Sequence, residues 1–252
     1  MLNIIRADLY RIFRSKSIYI MFILMLVIDI PSIILNSTML IGVTYHDDSG
    51  KMITPDADAL TSNSNFYYFF IFIVIAFLIS DFTNKTIKNT LASNCTRTCY
   101  FLTKTYTVYF SAAVLFIVHN AFVYILNFLV NGSSNAMNIG EYALTAVLQM
   151  SVLLGMTGFM LMIGFLTKNG TAFNTLTISI PLTYAVILMF LDNYIPEIIE
   201  NYLLKYEMHT TIGNLVYESD NTYRLTVAAI YLSAAVILPI IGYLHFRKSE
   251  IK

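Results

Sequence analysis

Six apolar stretches of roughly membrane-crossing length consume most of the 252 residues, at about 18–36, 65–80, 105–130, 142–166, 171–191 and 224–246. About 20 apolar residues cross a bilayer as a helix. A lipid-embedded chain must satisfy its backbone internally, which leaves helices or closed barrels. Stretches of this length predict an all-α polytopic membrane protein. The segments between them sort the charges. If the N-terminus lies inside, the inner segments are 1–17, 81–104, 167–170 and 247–252. They hold twelve of the fifteen basic residues, leaving only Lys51, Lys205 and Arg224 outside. By the positive-inside rule this bias places both ends in the cytoplasm.

Composition agrees with this reading. Hydrophobic residues make up 57% of the chain and charged residues 12%, against about 25% charged in a soluble domain. Six spans leave no room for a soluble catalytic domain, so residues 1–252 read as a single membrane domain. Eleven acids fall on the outer side, where an acidic face could attract cations; equally, acids contribute little to topology and cross easily. The first apolar run is too long for a signal h-region and lacks a small-x-small exit, so it reads as an uncleaved first helix.

Residues 3–16 place Ile5, Leu9, Ile12 and Phe13 on one helical face, with most of the cations elsewhere. That pattern predicts an amphipathic N-terminal helix at the inner surface, or a plain positive-inside anchor at the same place. The first span contains Asp29 and Pro31, and 37–64 reads as a polar, turn-rich outer loop. The second span is short and aromatic; its phenylalanines suit either lipid-facing packing or an apolar wall for a greasy substrate. The largest inner segment follows. Thr83 or Asn84 can cap a short helix to about Ser93, with Ile87 and Leu91 on one face. Two exposed apolar residues among cations suit docking; a solvated loop is the bland alternative. Gly155 and Gly158 in the fourth span are three apart, which is not the small-xxx-small helix-pair motif. The fifth span carries Asn174, Thr175, Thr177, Ser179 and Thr183, enough polar groups to line a cavity or bond across helices. Ile195, Ile198, Ile199, Tyr202, Leu203 and Tyr206 predict an amphipathic external helix between spans five and six.

The marks of membrane-embedded chemistry are missing. No H-E-x-x-H, G-x-S-x-G or G-x-x-x-x-G-K-[ST] occurs in the sequence. His46, His119, His209 and His245 are far apart, and Cys95 and Cys99 lack a nearby histidine for a metal site. An intramembrane ionisable residue is a functional candidate by default, so Asp29 reads as either substrate-linked or structural, and His119 as an interhelical hydrogen-bonding residue. No catalytic residue and no metal ligand is assigned.

The chain resembles the membrane subunits of ABC-2-type ABC exporters, and within them the small permeases of bacteriocin or lantibiotic immunity and peptide export. The resemblance rests on the N-terminal "elbow" with DLYRIFRSK at 8–16, on six spans, and on DFTNKTIKNTLASNCTR at 81–97 followed by Lys104. It implies a transport subunit and not an enzyme. This chain would bind no cofactor, with ATP and Mg on a separate P-loop ATPase. A second permease chain, identical or related, would complete the pathway; no nucleic acid enters. Asp81, Asn84, Lys85, Ile87, Lys88, Leu91 and Arg97 would couple to the ATPase, through a cytoplasmic coupling helix anchored by Ile87 and Leu91. Asp29, Phe69, Phe72, Asn174, Thr177 and Thr183 would line the substrate pathway between spans two and five of the two chains. The cargo would be a hydrophobic or amphipathic peptide and the location a bacterial plasma membrane. The alternative is a membrane sensor or scaffold that binds a partner without transport.

Overall fold

The computed structural model describes residues 2–35, 55–92, 95–132, 137–192, 194–195, 203–217 and 220–249. The described residues form helices: α1 (Leu2–Arg14), α2 (Lys16–Leu35), α3 (Pro55–Ser62), α4 (Phe66–Val74), α5 (Ser80–Thr83), α6 (Thr86–Ala92), α7 (Arg97–Asn131), α8 (Ile139–Thr167), α9 (Gly170–Asp192), α10 (Met208–Tyr217) and α11 (Asn221–Lys248). A 3₁₀ turn (Asn63–Asn65) joins α3 to α4, and a π-helical segment (Ile75–Ile79) joins α4 to α5.

Among the described residues, five helical runs are long and apolar enough to cross a bilayer: Ala59–Thr83, Arg97–Asn131, Ile139–Thr167, Gly170–Leu188 and Asn221–Lys248. The protein is a multi-pass, all-α membrane protein. These runs cover the second to sixth expected spans. The first corresponds to α2, a 20-residue helix that continues through Pro31 to Leu35. Two boundaries differ from expectation. The second span begins in α3, within what reads as a polar loop, because Ser62 and Asn63 are buried and hydrogen-bonded. The short helix after it starts at Thr86, because Lys85 breaks the chain with φ +57°. The expected external helix falls largely on 196–202, outside the described residues. What is described there is α10, whose Met208, Ile212 and Leu215 are buried in the core.

Helix ends follow local chemistry. Thr96 caps α7 by accepting from the Cys99 N–H, and Gly132, at φ +77°, ends it. Asn138 caps α8 and Asp220 caps α11 in the same way. Hydrogen bonding from Thr222 holds the Asp220 carboxyl below the ordinary range. The 35 residues of α7 span about 52 Å at 1.5 Å per residue, well beyond a hydrocarbon core of about 30 Å. Its first turns therefore extend past the hydrocarbon, at the end of the bundle where the basic segments gather.

The core is built around the second and fourth spans, whose apolar windows are 61% buried, against 28% for the third and sixth and 17% for the fifth. The sixth span, α11, makes its most extensive contact with α8. Glycines permit that approach. A Cβ at Gly155 would lie 2.7 Å from the Tyr231 carbonyl oxygen, one at Gly158 2.9 Å from Ala235 Cα, and one at Gly242 2.9 Å from Met162 Cα. Spacing alone gave no motif, yet these glycines seal the pair; three-residue steps lie on one helix face as four-residue steps do.

Candidate functional site

The most concentrated charge inside the protein lies at the basic end. Lys104, eight residues into the third span and 2% exposed, points its ammonium at two carboxylates. Its Nζ lies 2.9 and 2.8 Å from the two oxygens of Asp8 on α1 and 2.8 Å from Asp81 Oδ2 on α5. Arg11 donates to Asp81 Oδ1 at 3.1 Å and sits 3.8 Å from Asp8. Thr86 on α6 and Tyr100 on α7 donate to the two oxygens of Asp81, at 3.0 and 3.2 Å. Four elements thus meet at one clasp.

Aromatic rings pack beside it. Phe82 meets Phe165 at 6.4 Å and Phe246 at 6.0 Å, and Tyr100 meets Phe246 at 6.0 Å. Burial pushes the Asp8 carboxyl above the ordinary carboxylate range, although Lys104 pulls the other way. The net stability of such a pair is small, because desolvation offsets attraction. Removing one partner is costly, since it strands a buried charge. The clasp therefore acts as a joint that stays together or fails as a unit.

The residues expected to couple to a partner divide into two groups. Asn84, Lys85 and Lys88 are exposed. Asp81 is buried in the clasp, and Ile87 is 1% exposed and belongs to the core. The expected exposed anchor at Ile87 is therefore corrected: its side chain holds α6 to its own bundle, and the half-buried Leu91 also packs on that core. What α6 presents outward is polar and basic. Arg97 is occupied as well. Its guanidinium donates to the carbonyls of Phe246, Arg247 and Ser249 at 3.2, 2.8 and 2.7 Å, capping the last span. Lys168 lies nearby in a left-handed turn at φ +52°; burial, then Arg97, lowers its ammonium below the ordinary lysine range. Burial, then the adjacent Cys99, pushes the Cys95 thiol up, which makes it a poor nucleophile.

A second polar cluster lies further along the bundle. His119 is 15 residues beyond Lys104 on α7, about 22 Å along the axis. Its Nε2 lies 2.8 Å from Asp29 Oδ2, at ion-pair distance but off the angles of a hydrogen bond. Ser62 donates to Asp29 Oδ1 at 2.9 Å. One residue on from Ser62 and from His119, Asn63 donates to Asn120 at 2.9 Å and to Gln149 at 2.8 Å; Gln149 donates in turn to the carbonyls of Leu60 and Ile212, both at 2.9 Å. These amides tie α3, α7, α8 and α10 together.

The expected pathway residues do not gather into one cavity. Asp29 is 3% exposed and enclosed by its partners. Phe69 and Phe72 line a shallow apolar groove against Ile18, Met21 and Met25 of α2. Asn174 and Thr183 are exposed on α9, while Thr177 is fully buried. Three sets of residues escaped sequence reasoning: the acid of the elbow, Asp8; the seam glycines; and the tyrosines Tyr67 and Tyr109. The signal for Asp8 is an acid on a basic amphipathic helix; the partner that explains it lies 96 residues away. No family model matches the chain, and no curated protein matches it.

Proposed function

We propose that this chain is the membrane-spanning permease subunit of an ATP-driven exporter, working with a separate P-loop ATPase and a second permease chain. The observation that carries the reading is the clasp of Asp8, Arg11, Asp81 and Lys104. It fastens the root of the short helix α6 to the N-terminal helix and to the third span, so a force applied to α6 moves several elements together. Rigid-body shifts of this kind alternate access without covalent chemistry.

In this reading α2 is the first of six crossings, the basic end faces the cytoplasm, and the chain sits in a bacterial plasma membrane. Asn84, Lys85, Lys88 and the outer face of α6 meet the ATPase, which carries ATP and Mg. The apolar groove and the polar, lightly packed face of α9 serve a hydrophobic or amphipathic peptide between two copies or relatives of this chain.

The test is purification of the tagged chain from its native membranes. Wild type should retain a P-loop ATPase, and Lys85→Glu/Lys88→Glu should lose most of it while inserting normally. Equal retention by the variant would remove α6 from the interface. Retention of a regulator with no ATPase would favour a sensor or scaffold.

A further inference from the structure

A proline inside a helix has no N–H, so the carbonyl four residues earlier loses its helical partner. Hydrocarbon offers no replacement donor, so another protein group must supply one. Of the five long spans, two carry such a proline: Pro181 in α9 and Pro239 in α11. The freed carbonyls belong to Thr177 and Ala235. In both cases a tyrosine from another span reaches that same oxygen. The Tyr67 hydroxyl donates to the Thr177 carbonyl at 2.6 Å, and the Tyr109 hydroxyl donates to the Ala235 carbonyl.

The two joints have different surroundings. Ala235 lies in the glycine-sealed contact between α8 and α11. Thr177 lies on α9, the least buried of the five long spans. Tyr67 itself is 1% exposed, in the most buried class of span. Between Tyr67 and Asp81 of the clasp, the same helical rod passes through the π-helical segment Ile75–Ile79. Such segments mark places where a helix changes register.

We infer that the Tyr67 hydroxyl is a latch. It holds α9 at its proline break to the second span, and displacement of the rod's basic end, passed through the π-helical segment, releases and resets it. The source of that displacement rests on the permease reading; the latch itself does not. Its chemistry is a hydroxyl exchanging one buried carbonyl for another acceptor, with no bond made or broken beyond hydrogen bonds.

Hydrogen–deuterium exchange of α9 in lipid nanodiscs tests it, using wild type, Tyr67→Phe, Pro181→Ala and the double variant. Tyr67→Phe strands a buried carbonyl, and exchange of the α9 amides around the break should rise about ten- to hundredfold. Pro181→Ala returns an N–H to the Thr177 carbonyl, so in that background Tyr67→Phe should change exchange less than about twofold. If Tyr67→Phe alone does not fold, the double variant should. Wild-type exchange in Tyr67→Phe, an undiminished effect in the Pro181→Ala background, or a double variant that fails to fold would overturn the latch. No ATPase or transport readout enters, so the latch and the permease reading can fail separately.

Discussion

The fifth and sixth spans share a local device and differ in what surrounds it. Each has a proline in mid-helix and a tyrosine hydroxyl on the carbonyl that the proline frees. In the sixth span glycines bring the backbone against α8, and Arg97 caps its last turn. In the fifth, 17% of the apolar window is buried and side chains such as Ser179 and Thr183 face outward. The same hydrogen bond thus lies in a sealed contact in one place and on the least buried of the five long spans in the other. Freedom to move is set by tertiary packing, and the proline only marks where bending is cheap.

The largest effect is expected at the clasp, which fastens the second span, the rod that carries Tyr67, to the third span and the N-terminal helix. Lys104→Met strands Asp8 and Asp81 and should cost about 3–5 kcal/mol, read as a large fall in the thermal unfolding midpoint in detergent. A change under about 1 kcal/mol would mean that water reaches the clasp. Next come the seam and its counterpart. Gly155→Ala drives a Cβ into the Tyr231 backbone and should cost about 1–3 kcal/mol, while Ser179→Ala on the outer face of α9 should stay within about 0.5 kcal/mol. Equal effects would erase the distinction between the spans.

The smallest effect concerns pH. The Asp8 carboxyl is raised, chiefly by burial, so the folded protein holds this proton more readily than the unfolded chain. Its contribution is full below the ordinary carboxylate value and declines as pH rises through the raised one. Asp8→Asn should therefore gain on wild type across that window. A difference in unfolding midpoint that is flat from acid to neutral pH would contradict the direction.

Much of the architecture was legible in the sequence, because long apolar runs broken by charges leave few alternatives. The five long spans stand where hydropathy put them, and all but the fifth run past both predicted ends. What stayed hidden depended on partners distant in sequence. Ile87 has the spacing of an exposed anchor, but nothing local says that the bundle will cover it. Residues 55–64 read as part of a polar loop because Ser62 and Asn63 look solvated until Asp29, Asn120 and Gln149 are placed around them. Lys104 looked like one more inner cation until Asp8 and Asp81 closed on it. The glycines at 155 and 158 match no named motif, since the fit they allow is a property of two helices and not of one.

Under the proposed function, this chain moves its cargo only when a nucleotide-driven partner works on its basic end. Proteoliposomes holding the chain with and without the ATPase that co-purifies with it, loaded with a fluorescent hydrophobic peptide, measure this directly. The account predicts peptide movement only with the ATPase and ATP present, and its loss in Lys85→Glu/Lys88→Glu. Movement by the chain alone, indifferent to nucleotide, would contradict it.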